Sequence, residues 1–170
     1  MSVRARVAAA LVATMVLAGC AMSGPAAEQS LPDVAVEEFD GGAAVEVAAL
    51  RGPMVINLWA SYCKPCRQEM PVLQQFHEAH GDEVEVVGID YQDPQKAAAQ
   101  NLVDTTGVTY RLLADPLGEL NSADPFPNMM GLPFLALVDE DGRVAFMEYG
   151  EIESVAELEG LVDEHLGLDL

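Results

Sequence analysis

Positive charge is scarce in this chain. Eight Lys and Arg face 28 Asp and Glu across 170 residues, a net charge of −20. No basic patch is on offer for nucleic acid or for an anionic membrane surface. The acidity bears on solubility and fits a salty habitat; it says nothing about fold. Cysteine is nearly as rare, with three residues, so no disulfide framework is built even if the compartment would permit one. No internal repeat is visible, and no Cys-x-x-Cys-His haem-attachment motif occurs. The apolar run at residues 7–18 would span about 18 Å as a helix, short of a hydrocarbon core of about 30 Å.

That run follows Arg4 and Arg6 and closes with Leu17-Ala18-Gly19-Cys20. Small residues before a cysteine resemble the lipobox of a bacterial lipoprotein signal peptide, which implies cleavage before Cys20 and lipid on its thiol. An ordinary signal peptide with an incidental cysteine, or a short anchor, is the plainer alternative. The expected organisation is a signal peptide at 1–19, a lipidated cysteine with an Ala/Gly/Pro/Ser-rich flexible tether at 20–32, and one domain at 33–170. That domain, about 135 residues, is long enough for a single core. Removing Arg4 and Arg6 leaves six basic residues against 28 acidic ones, a net of −22. Cys63 and Cys66 are then the remaining thiols, and an exported chain whose free thiols form a C-x-x-C pair is expected to use them for redox work.

What is present is concentrated at residues 54–71. Residues 54–60 are uncharged, β-branched and aromatic, bounded by Arg51-Gly52-Pro53 and a polar turn, and read as a buried strand. Helical periodicity follows Cys63-Lys64-Pro65-Cys66. The cysteines therefore sit where a strand hands over to a helix. At a helix start the free N–H groups and the dipole stabilise a thiolate, so Cys63 is the expected nucleophile, with Lys64 adding charge of the same sense. Cys66, one turn in, is expected to be more covered. Pro65 suits the first turn, where its missing N–H costs nothing. Such a pair is an exchangeable disulfide in the making.

The run Trp59-Ala60-Ser61-Tyr62-Cys63-Lys64-Pro65-Cys66-Arg67-Gln68-Glu69-Met70-Pro71 resembles the signature of the thioredoxin superfamily. More narrowly it is similar to the extracytoplasmic TlpA/ResA-like thiol-disulfide oxidoreductases. The resemblance implies an α/β, thioredoxin-like fold: a mixed central sheet flanked by helices, with an N-terminal β-hairpin. It implies thiol-disulfide exchange with protein thiol or disulfide substrates, no cofactor, no metal, and a membrane electron donor or acceptor that resets the dithiol. The expected location is the extracytoplasmic face of a bacterial membrane, with the bilayer reached through Cys20. Lipidation and the Lys-Pro dipeptide fit the reductive members, such as those serving cytochrome c maturation; a disulfide-forming oxidant of the same fold is the mirror reading.

The resemblance also assigns roles. Cys63 and Cys66 are the redox pair. Pro133 is expected to be cis and to pack on the pair, the alternative being a trans proline at a strand edge. Leu132 then offers backbone groups to substrate, and Trp59, Tyr62, Lys64 and Pro65 complete the expected contacts, ordinary packing being the plain reading for the two aromatics. Glu69, three residues after Cys66, shares a helix face with it; it either tunes the thiols and relays protons or is a solvated helix carboxylate. Asn57 stands where cytoplasmic thioredoxins carry a buried aspartate, and an amide cannot titrate there.

Taken in order, residues 34–39 and 44–50 read as a hairpin through Asp40-Gly41-Gly42. Residues 65–79 read as a helix kinked at Pro71 and ended by Gly81. Residues 84–90 read as a central parallel strand, and a helix to about residue 105 as one capped by Asp93 and stopped by Gly107. A short strand at 110–114, a helical turn at 118–122, a loop at 124–131, a hairpin of 133–139 with 144–149, and a helix at 154–166 capped by Ser154 complete the domain. His77 and His80 lie too far along the helix from the cysteines, about 16 Å, for one zinc ion to hold all four. Met129 and Met130 near Pro133 leave open an extracytoplasmic Cu(I) carrier that uses the same cysteines.

Overall fold

The computed structural model describes residues 29–170; the expected signal peptide, Cys20 and residues 20–28 of the tether lie outside the described residues. Residues 29–32, ahead of the expected boundary at residue 33, already pair with the rest of the fold. Val144 N–H donates to the Gln29 carbonyl at 2.8 Å, Leu31 N–H donates to the Gly142 carbonyl at 3.0 Å, and the Leu31 side chain is buried. Leu31, within the expected tether at 20–32, instead joins a core.

β1 (Ala35–Glu38) and β2 (Ala44–Glu46) form the antiparallel N-terminal hairpin, Val36 facing Val45. A 3-10 turn, Val47–Ala49, takes the place of the rest of the second run. β3 (Met54–Trp59), α1 (Lys64–His80), β4 (Glu85–Tyr91), α2 (Lys96–Thr106) and β5 (Arg111–Asp115) follow as two consecutive crossover units. The hairpin β6 (Phe134–Val138) and β7 (Val144–Tyr149), then α3 (Val155–Leu166), close the chain. Among the described residues the strands form one mixed sheet in the order β2-β1-β5-β4-β3-β6-β7, with β3, β4 and β5 parallel and the other pairs antiparallel. β3 and β6 are buried along their whole length, as their uncharged and, Asn57 apart, apolar runs require.

Right-handed crossovers that step in one direction, β3 to β4 to β5, place both connecting helices on one face. Leu73 and Phe76 of α1, Leu102 of α2 and Leu158 of α3 accordingly share one core with Val55, Trp59 and Leu135. The opposite face is closed by irregular chain: Leu31, Val47, Leu120 and Phe126 pack over Met54, Ile56 and Leu58. Both faces are covered, as expected, with the helices gathered on one of them. Residues 118–122 form turns rather than a helical turn, because both oxygens of buried Asp115 accept N–H groups of Glu119 and Leu120 and fold the chain back.

Three ends follow local chemistry. Ser154 Oγ accepts from Glu157 N–H and caps α3. Gly107, at φ 68°, ends α2 in the left-handed conformation that glycine adopts without a Cβ penalty. α1 runs unbroken through Pro71 to Gly81, leaving the Arg67 carbonyl without its usual helical donor.

Candidate active site

β3 ends at Trp59, and the turn at residues 60–63 delivers Cys63 to the N-cap of α1. Its Sγ takes the place of a capping oxygen and accepts the Cys66 N–H at 3.2 Å. Sulfur charge therefore forms where an unpaired helix donor points. Cys63 and Cys66 are joined as a disulfide, their Cα atoms 5.3 Å apart. Cys63 keeps 7% of its surface accessible and Cys66 none, so a partner sulfur reaches Cys63 first. Pro65 lies in the first turn, and Lys64 is exposed beside the pair.

The turn itself is held from both sides. Ser61 N–H donates to Asp93 Oδ2 at 2.6 Å, and the Ser61 carbonyl accepts from Arg67 Nη1 at 2.8 Å. Asp93 was expected to cap α2. Instead α2 starts at Lys96 behind Gln95, and Asp93 accepts the Gln95 N–H with Oδ1 while Oδ2 reaches across to Ser61. Sequence reading missed this clamp. Parallel pairing of Trp59 with Asp90 sets the two strand ends side by side, and that register, invisible in either segment alone, is what brings Asp93 to Ser61.

Glu69 is fully buried, which removes the solvated-carboxylate reading. Asn57 Nδ2 donates to its Oε1 at 2.8 Å, and Ile152 N–H donates to its Oε2 at 3.2 Å. Burial nevertheless outweighs these two bonds, and with Glu151 nearby the carboxyl is pushed up to about 7. Glu69 and Cys66 lie three residues apart on the buried side of α1. A group that titrates near neutrality thus stands one turn below the inner sulfur. Asn57 is buried with it, and its Oδ1 has no protein partner.

A groove of about 360 Å³ opens beside the sulfurs, lined by Tyr62, Cys63, Pro65, Met129 and Leu132, with Tyr91 and Gln92 from the end of β4. Tyr62 is 53% exposed, a side chain positioned to meet a partner. Pro133 is buried and joined to Leu132 by a cis peptide bond. Trp59 departs from expectation: it is wholly buried, its ring 5.8 Å from Phe39, and it reaches no substrate surface. Alternation along β3 turns it, with Val55 and Asn57, to the face that the helices cover, a consequence of strand period that the motif conceals. Tyr91 and Gln92 were not foreseen, since the strand register places them. Met129 shares the groove with Cys63, while among the described residues no group of three or more His, Cys, Asp or Glu is placed to hold a metal ion.

The chain is similar to known proteins. The Redoxin family profile matches residues 26–162. The chain is 30% identical over 124 residues to the thioredoxin-like protein YneN of Bacillus subtilis, covering 72% of this chain and 71% of that one. It is 28% identical over 127 residues to the thiol-disulfide oxidoreductase ResA of Halalkalibacterium halodurans, covering 74% and 69%. Among solved structures, a DsbF homologue from Corynebacterium diphtheriae superposes with a TM-score of 0.69 at 28% identity, over 79% of this chain and 85% of that one.

Proposed function

This chain belongs to the redoxin family and is a thiol-disulfide oxidoreductase of thioredoxin-like fold, and we propose that it is a membrane-tethered extracytoplasmic reductant of protein disulfides. The observation that carries the reading is the pairing of an accessible Cys63 sulfur at the helix mouth with a buried Cys66 one turn below. In the reduced protein, Cys63 thiolate attacks one sulfur of a substrate disulfide and expels the other as a thiolate, forming a mixed disulfide. Cys66 loses its proton, attacks Cys63 Sγ and releases the second substrate thiolate. Two electrons pass to the substrate, and the Cys63–Cys66 disulfide closes. Glu69, near neutrality, is suited to receive the Cys66 proton and return it on the reverse step.

The groove lined by Tyr62, Pro65 and Leu132 would seat the extended segment carrying the substrate cysteine, with Lys64 exposed at its side. Support for the tether and the extracytoplasmic location lies in the sequence: Leu17-Ala18-Gly19-Cys20 after an apolar run led by two arginines. A membrane dithiol partner would then re-reduce the pair, and a maturing c-type cytochrome is the substrate class that the resemblance favours.

The test has two parts. Cys66→Ser should accumulate a mixed disulfide through Cys63, whereas Cys63→Ser should form none; trapping through Cys66 instead would overturn the assignment. The reduction potential should lie toward the thioredoxin value of about −270 mV, and one near the roughly −120 mV of a strong oxidant would reverse the direction of electron flow.

A further inference from the structure

The Asp90 side chain is used neither by the redox pair nor by the fold's hydrogen bonding. It sits at the end of β4, 6% exposed, and its Oδ1 has no hydrogen-bond partner. It lines a pocket of about 230 Å³ whose walls carry five carboxylates, Glu37, Glu38, Asp40, Asp90 and Asp93, and one cation, Lys96. The acidity of the chain at large explains solvated carboxylates on the rim. It does not explain a buried one, since burying an unpaired carboxylate costs free energy that a cation would restore. Burial, then Asp93, push the Asp90 carboxyl up to about 7, while Lys96 acts in the opposite sense.

Three features narrow the occupant. The volume lies below the roughly 300–1,000 Å³ of small-molecule clefts and suits the end of one side chain. Two of the other carboxylates are already engaged: Asp93 holds the N–H groups of Ser61 and Gln95, and Glu38 holds Arg111 at 2.7 Å. No coordination shell converges, and among the described residues no group of three or more acidic, His or Cys side chains is placed to hold a metal ion. A single cationic head matches the one carboxylate oxygen of this lining that is both buried and without a partner. The pocket also borders the redox site, because Asp93 holds the turn leading to Cys63, and the charges of Asp93 and Asp90 reach the Tyr62 phenol.

We propose that this pocket is a specificity site that receives a Lys or Arg side chain flanking the reactive cysteine of the protein substrate, with Asp90 as its acceptor. The inference rests on the reading of this chain as acting on protein disulfides. Substrates would then be selected by a basic residue beside the cysteine as well as by the redox state of the sulfur.

The test uses cysteine peptides carrying a thionitrobenzoate mixed disulfide, with one arginine walked through the positions around the cysteine, each paired with a citrulline twin that keeps the shape and removes the charge. The reduced protein releases thionitrobenzoate as Cys63 attacks, and kcat/KM is compared within each pair. At one favoured position the arginine peptide should be faster by about tenfold. That ratio should fall to about one in Asp90→Asn, rise in Lys96→Gln, and persist in Glu140→Gln, which removes one exposed charge at the far end of the sheet. A position-independent ratio, or one that survives Asp90→Asn, would overturn the inference. So would Ca²⁺ or Mg²⁺ that binds the protein alone and abolishes the preference, because the pocket would then be an ion site. Failure of every peptide, citrulline twins included, would sink the protein-disulfide reading and this inference with it, whereas equal twins at normal rates sink the inference alone.

Discussion

Replacing Glu69 by glutamine should remove a pH dependence of stability that the wild type carries. In the unfolded chain the Glu69 carboxyl titrates near 4.5; in the fold it is pushed up to about 7 by burial. Between these values the unfolded chain has released the proton and the folded one retains it, so stability falls as pH rises through the window and levels off above it. At about 1.4 kcal/mol per unit the loss is about 3 kcal/mol. Glutamine is neutral throughout, and the site can accept it. Its Oε1 can keep the Ile152 N–H, while its amide donates to Asn57 Oδ1, which has no protein partner in the wild type and needs only a flip of the Asn57 amide. The assay is the urea midpoint of the oxidised protein across the window, the closed disulfide keeping both thiols out of the titration. Asp90, also pushed up to about 7, contributes with the same sign to both proteins and cancels in the difference. The glutamine variant should gain on the wild type by about 3 kcal/mol from acid to neutral pH. Parallel curves would refute the reasoning, since they would mean that Glu69 ionises in the fold as readily as in water.

Gly88→Ala should destabilise by about 1–3 kcal/mol, because a Cβ there would stand 2.8 Å from Leu112 Cδ2 and 3.1 Å from Trp59 Nε1; an unchanged urea midpoint would show that the strand can shift. Asp93→Ala should cost a similar 1–3 kcal/mol, roughly what a buried unpaired donor costs, and should slow exchange at Cys63, because Ser61 N–H loses its acceptor. Wild-type stability and exchange rates in that variant would show that the clamp does not position the turn.

What could be read in the sequence was what is local. A strand, a turn and a helix lie within about two dozen residues, so strand period, the C-x-x-C spacing and a proline in the first turn were enough to place Cys63 at the helix mouth. Gly107 and Ser154 worked in the same way, each acting on its own helix end. The errors fall where a distant segment decides. Leu31 was read as tether because its partner, the β6–β7 turn, lies more than a hundred residues away. Asp93 had the composition of a helix cap, and it lost that role to a turn aligned with it only through the β3–β4 register.

Glu69 is the sharpest case, because spacing alone left two opposite readings. Its helix position fixed which residues it could face, not whether water reached it, and that is decided by the segment after β7, whose Ile152 N–H closes on Oε2 from 83 positions away. Burial sets the upward direction of the shift, and the partner chosen by the fold opposes it only in part. Arginine or lysine at position 57 would hold the carboxyl ionised and drive its pKa down. An amide cannot do that, and it offers a donor and an acceptor on the same group. With the carboxylate ionised, Asn57 Nδ2 donates to it; with the carboxyl protonated, the O–H can donate to Asn57 Oδ1 after a flip of the amide. Both protonation states are therefore satisfied without moving α1 against β3, which allows a buried acid to exchange a proton beside Cys66 at little structural cost.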